Sequence, residues 1–477
     1  IVATVAPPLA SQTPSFDAPS SEERPALIFH AQSWLEGLHS RVDVPSTRVF
    51  KALAPSIDGE SVFIPRFLDG RGLRPPPLSY FPSYQADEAQ SDRRRPAQGS
   101  RSGEDVAGVA DCVRFVALIP FVSDYALFKD LDMWCTCSQF LEILAGDEEE
   151  HAILLWHYFT WLAQHKLFLV PETSQSSEDL EDLTSDGMRP SRRTSRSHRR
   201  SKAVFKQPRG VTFYLALCRA VPEGESVYVV QVNRGEGGDT VIWNASTGQA
   251  FSAQDLRCPV QDIGCLITPD NIYANVQRAG RPADLARVSG GFDVEDTRKW
   301  KPFFGPRVNR AALFSPGTLQ DQELTYLPPV DSGECASLAH MIEEQLRDSI
   351  ATWRQKDRSL RLRGARAYPI FAPDASTRAK DLLRQLEAYK TGKTTTLDYA
   401  YSFSSVSRMR QVNGNTLNFT FTDISTIESK VKETAFHECA HPEVQFVLAL
   451  HVVAYPSGVI SVWVFYGTLL PSNGGDE

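Results

Sequence analysis

The stretch AGDEEEHAILLWHYF, Ala145 to Phe159, places three consecutive glutamates and a histidine at the head of an apolar run. A side chain at the first turn of a helix lies among unpaired N–H groups at the positive end of the dipole, so a thiol there is acidified into a nucleophile. The pattern expected around such a thiol is a glycine, a spacer, the cysteine and then a small residue four positions on. Gly146, Asp147 and Ala152 keep this frame, but Glu148 stands where the thiol belongs. A carboxylate is stable at a helix N-terminus and attacks amides poorly, so no acyl-enzyme chemistry follows.

The elements that would position this helix can be read around it. SQFLEILAG (138–146) has helical spacing with Ser138 as its expected N-cap, Gly146 ends it, and the central helix is expected from His151 to about Lys166. ADCVRFVALIPFV, just upstream, reads as a strand or a short helix. Four strands are expected downstream, over 211–221, 226–233, 240–246 and 264–277, from their Val/Ile/Tyr enrichment and the glycines between them. Helix, tight turn, buried helix and antiparallel strands in this order resemble a papain-like or transglutaminase-like half-domain. In that class the second strand carries the catalytic histidine and the third its orienting Asp or Asn. The resemblance therefore assigns the triad positions to Glu148, Ser226 and Asn244, and a groove to Gly146, Glu149, His151 and Trp243. Without nucleophile and base, only binding is left.

Other residues suggest chemistry more weakly. His437-Glu438-Cys439-Ala440-His441 matches HExxH, but Pro442 follows at once and a strand is expected from Val444, whereas a zincin needs a continuing helix. Thr391-Gly392-Lys393-Thr394 lacks the first P-loop glycine, Glu387 standing in its place, and follows a helix rather than a strand. Asn418-Phe419-Thr420 is a glycosylation sequon only in a secreted chain. Cys135-Thr136-Cys137 lacks the two-residue gap of zinc and redox sites, and the other six cysteines are scattered, which suits a reducing compartment. No metal or cofactor is expected.

The 477 residues suggest two or three domains, and 42% hydrophobic residues supply ample cores. A net charge of -8 without aromatic–basic patterning argues against nucleic acid. No apolar run is long enough to cross a membrane. The start, IVATVAPPLASQ, lacks the features of a signal peptide, and the chain is expected to be a piece of a longer soluble protein. Residues 1–105 read as a largely disordered tail and linker with short ordered pieces, among them a helix over AQSWLEGLHSRV. Residues 106–330 read as the peptidase-like domain, and 171–210 as a disordered insert, acidic then basic, with 192–200 rich in arginine. Residues 331–477 read as an α+β domain of three helices and a hairpin turning at Pro456-Ser457-Gly458. The fold class expected for the whole is α+β.

RFVALIPFV, DMWCTCSQFLEILAGDEEEHAILLWHYF, VIWNASTGQAF, QDIGCLITPDNIYANVQ and FDVEDTRKWKPFF, followed by EEQLRDSIATWR and HPEVQFVLALHVVAYPSGVISVWVFYGTLL, come in the order found in one family. The chain resembles the ciliary transition-zone proteins that carry coiled coils and a C-two domain, a family linked to Meckel and Joubert ciliopathies. The resemblance implies a degenerate, non-catalytic peptidase domain within a scaffold at the basal body and transition zone, cytoplasmic and cytoskeletal, acting in cilium assembly and gating. Implied partners are other transition-zone proteins, with tubulin or microtubules as a further candidate. Glu148, Glu149 and Glu150 would repel an acidic tubulin tail unless arginines offset them. The competing expectation is an active peptidase, using Cys135 or Cys137 or a zinc ion at the HExxH motif.

Overall fold

The computed structural model describes residues 23–82, 105–124, 132–171, 205–206, 210–234, 239–394, 399–407 and 410–471. The expected insert at 171–210 lies almost wholly outside them, as do residues 1–22 and 83–104. The principal elements are α1 (Pro25–His39), β1 (Leu53–Pro55), β2 (Ser61–Phe63), α2 (Val109–Val116), α3 (Cys137–Ile143) and α4 (Glu148–Gln164). They continue with β3 (Val211–Ala220), β4 (Gly224–Asn233), β5 (Thr240–Asn244), β6 (Gln249–Ser252), β7 (Val260–Ile267), β8 (Ile272–Asn275) and β9 (Trp300–Pro302). The C-terminal part contains α5 (Ser332–Lys356), α6 (Pro373–Lys390), β10 (Arg410–Thr420), α7 (Ile424–Glu433), β11 (Gln445–Ala454) and β12 (Ile460–Pro471). The chain is thus α+β, a mixture of helices and antiparallel sheets.

Strands β9-β8-β7-β3-β4-β5-β6 form one antiparallel sheet in that order. Nearly every residue from Glu149 to Phe159 is buried, because α4 is apolar all round and lies between the sheet and α2. Leu215, Leu217, Val227 and Val229 face α4, while Tyr214, Ala216, Cys218, Tyr228 and Val230 alternate to the other face and pack with Leu285, Val294 and Trp300. The fourth expected strand, 264–277, is two strands, β7 and β8, because Thr268 and Asn271 close a turn between them.

Residues 23–82 correct the expectation of a largely disordered 1–105. Leu27, Trp34, Phe63 and Phe67 are buried in the same core as α4. Buried Arg48 donates to both Asp262 carboxylate oxygens, at 2.9 and 3.2 Å, and to the carbonyls of Asn275 and Gln277 at 2.8 and 2.7 Å. A methyl group on Gly264 would lie 1.9 Å from the Val49 carbonyl, so only glycine lets this segment approach β7.

In the C-terminal part, β12 lies between β10 and β11, with α5 and α7 on one face of the sheet and α6 on the other. The helices and hairpin correspond to the expected ones, and Ser457 in the turn takes a left-handed φ of 58°. Strand β10 was not foreseen, since RQVNGNTLNFT has few core-forming residues.

Among the described residues no helix is long and apolar enough to cross a membrane.

Candidate functional site

Asp147 starts α4 through a reciprocal cap. Its side chain accepts from the Glu149 N–H at 3.4 Å, and Glu150 accepts from the Asp147 N–H at 3.1 Å. Glu150 also accepts from the Cys135 N–H at 3.0 Å, tying the end of the preceding loop to the helix. The helix therefore begins three residues before the expected His151. Helix α3 is likewise capped by Thr136, two residues before the expected Ser138, in a capping box with Gln139.

This cap gathers carboxyl groups. Asp147, Glu148 and Glu149 place oxygens within 4.8 Å of one another. Burial, reinforced by Asp147, Glu223 and Asp132, pushes Glu148 up to about 7. Burial and a hydrogen bond shared with Asp147 hold the Glu149 carboxyl well above the usual range, and burial with Asp147 does the same to Glu150. Asp124, whose Oδ2 accepts from the Met133 N–H at 2.6 Å, is raised to about 6 by burial and the neighbouring Asp147 and Asp132. Lys51 is the cation beside them. Its ammonium bonds Asp132 and lies 3.6 Å from Glu225. Burial alone would lower it, but Asp132, Glu149 and Glu225 outweigh burial and raise it.

The structure does not bring the three triad positions together. Glu148 heads α4 on one side of the sheet. Ser226 and Asn244 belong to the other side, since they alternate with Val227 and Trp243, which face α4. The Ser226 hydroxyl is buried without a partner, and its carbonyl accepts from the Cys218 thiol at 3.2 Å. Asn244 donates to the Tyr228 hydroxyl and accepts from the Thr247 N–H, both at 3.0 Å, and so closes the β5–β6 turn. On β4 the residue sharing the α4-facing parity is Glu225, one position before Ser226. The run SVYVVQV is too uniformly apolar for its parity to be read from sequence, which is how the register slipped.

The expected groove residues separate in the same way. Gly146 packs against the Phe140 ring, and Glu149 lies inside the carboxyl cluster. Both ring nitrogens of buried His151 lie against carbonyls, those of Asp147 and Ile119, so it has no lone pair free for a substrate. Trp243 packs edge-on to Phe159 at 5.1 Å and donates to Gln231 at 3.0 Å. That is roughly 16 Å along α4 from Glu148 at 1.5 Å per residue.

The alternative catalysts fare no better. Burial, then Glu150, Asp124 and Asp147, drive the Cys135 thiol up to about 12. Burial, then Glu150, also raise the Cys137 thiol well above its ordinary value. Within HExxH, residues Phe436–Glu438 make a single tight turn and Cys439 is extended at ψ 120°, so the motif lies on no helix. Arg354 holds the carbonyls of His437 and Cys439, and His441 Nδ1 accepts from the Glu443 N–H. Asn418 of the sequon is engaged, donating to Ser461 and accepting from Arg114.

One buried cluster escaped the sequence reading. Arg114 on α2 forms a forked pair with Glu387 on α6 at 3.2 and 2.8 Å, and also donates to Asn418 and Ser461. Tyr455 and Trp463 donate to the same carboxylate. Burial would raise Glu387, but Arg114 and these donors hold it below the usual carboxylate value. In the sequence alone, Glu387 stands out only as the residue in place of the first P-loop glycine.

Comparison with known proteins agrees with the peptidase-like arrangement. The family model of the CEP76 peptidase-like domain matches residues 132–186 and 206–303. Human protein CC2D2B is 24% identical over 359 residues, 75% of this chain and 20% of that protein. Coiled-coil and C2 domain-containing protein 2A of Drosophila melanogaster is 24% identical over 262 residues, 55% of this chain and 18% of that protein. The chain thus spans about a fifth of the length of these relatives. With a peptidase-like domain and two such relatives matched along one stretch, the chain is similar to the coiled-coil and C2 domain-containing CC2D2 proteins.

Proposed function

We propose that this chain is a non-catalytic scaffold segment of a ciliary transition-zone protein, in which a degenerate transglutaminase-like domain binds or braces rather than cleaves. The observation that carries the reading is the carboxyl cluster at the start of α4, where the place of a thiolate is filled by Glu148 and its protonated neighbours. A group at that position has neither the nucleophilicity nor the base that acyl transfer needs. The likeness to the CC2D2 proteins supports the scaffold role, and with it a site at the transition zone and basal body and a part in cilium assembly and gating.

The partners on this reading are other transition-zone proteins. A tubulin tail is disfavoured at the α4 N-terminus, because an acidic peptide would meet Asp132, Asp147 and Glu148 with Lys51 already paired. Two experiments separate the possibilities. In ciliated cells lacking the full-length protein, a version carrying C135S and C137A is expected to restore cilia as well as wild type; failure of this folded variant would sink the non-catalytic reading. Co-sedimentation with microtubules, before and after protease removal of the tubulin tails, is expected to show no tail-dependent binding. Binding lost with the tails would place tubulin among the ligands.

A further inference from the structure

Strand β11 is an edge of the three-stranded sheet, and its pairing with β12 points the N–H and C=O groups of alternate residues outward. At Phe446 both outward groups are taken, the N–H by the Ile370 carbonyl and the carbonyl by the Ala372 N–H, in a parallel bridge. At the far end the Ala454 N–H meets the Cys335 sulfur. Between them, the outward groups of Leu450 and Val452 have no partner among the described residues. They line a cavity of about 450 Å³ that runs along this edge between α5 and α6. Small side chains, Ala336 and Ala339 on α5 and Ala388 on α6, leave the space open.

Two cations stand on the α6 side of this groove. Lys380 and Arg384 line it and act on His451, whose pKa burial lowers to about 4, so the imidazole is neutral near pH 7. Arg384 has an exposed ion pair with Asp381, which is weak enough to exchange. Glu387, the acidic group on the same wall, is already committed to Arg114, Tyr455 and Trp463.

We propose that the β11 edge at Leu450 and Val452 is a docking site for an extended acidic peptide segment of a partner protein, which adds to the sheet as a further strand. Main-chain bonds to Leu450 and Val452 supply the affinity, and Lys380 and Arg384 select carboxylates on the incoming strand. Residues 370–372 already pair with this same edge at Phe446, four residues before Leu450.

The test uses the full chain and a fluorescein-labelled eight-residue peptide that alternates glutamate and valine, read by fluorescence anisotropy. Saturable binding is expected, weakened by added salt. It should fall at least ~10-fold when alternate peptide amides are N-methylated on the pairing side, since each lost main-chain bond is worth about 1 kcal/mol. K380E/R384E is expected to weaken binding several-fold and to favour a lysine–valine peptide. V452P removes an outward N–H that an edge strand can spare, and is expected to abolish binding while circular dichroism stays unchanged. The proposal is overturned if wild type shows no saturable binding, if N-methylation has no effect, or if the charge reversal leaves the preference intact. A concentration-dependent dimer dissolved by V452P would also overturn it, by placing a second copy on the edge.

Discussion

Glu149 is enclosed at the start of α4 with Asp147 as its close neighbour, and it keeps its proton at pH values where an unfolded glutamate has lost it. The folded chain therefore binds more protons than the unfolded chain above the ordinary glutamate pKa, and this group destabilises the fold increasingly as pH rises. A glutamine fills the same space and still donates to Asp147. E149Q is predicted to match wild type near about pH 4 and to gain thermal stability over it as pH rises to 8, by on the order of 1 kcal/mol. The comparison with wild type matters, because buried His157, held at about 4 by burial, shifts stability in the opposite direction. Thermal melts of both proteins across this range check it, and a difference independent of pH would contradict the protonated carboxyl. At this scale the sequence was informative about Glu148, since residue type and helix position decide its chemistry. Ser226 and Asn244 were misassigned because a side chain's face depends on strand parity, and an unbroken apolar run conceals parity.

Among the elements, α4 was legible because a long apolar segment behind an acidic first turn can only be a buried helix. The 23–82 segment was not, because Arg48 and Gly264 lie far apart in sequence and only the folded sheet shows that one fills a cage of carbonyls and the other makes room for Val49. Two substitutions follow. R48A leaves Asp262 and three carbonyls without their donor and is predicted to cost about 2–4 kcal/mol in denaturant unfolding. G264A forces the Val49 carbonyl away from β7 and is predicted to open the 45–52 stretch to limited proteolysis while the C-terminal part stays resistant. Equal resistance of G264A and wild type would show that the segment is not held where the structure has it.

Across the whole molecule, the forked Arg114–Glu387 pair joins the peptidase-like part to the C-terminal sheet through a cluster of six side chains, five of them buried and Asn418 half-buried. No local pattern announces such a cluster, since its members come from α2, α6, β10 and β12 and the turn before the last strand. R114A strands a buried carboxylate and is predicted to destabilise the C-terminal part by about 3–5 kcal/mol, splitting one calorimetric transition into two. R114A/E387Q removes the stranded charge and should recover much of that loss.

The claim that this peptidase-like domain has no working nucleophile is tested most directly by alkylating the native chain with iodoacetamide near neutral pH and following each cysteine by mass spectrometry. With Cys135 driven to about 12 and Cys137 buried, both are predicted to react at least ~10²-fold more slowly than free cysteine, and only after unfolding at comparable rates. Either thiol reacting in the native chain as fast as free cysteine, or faster, would contradict the account and return the chain to the active peptidases.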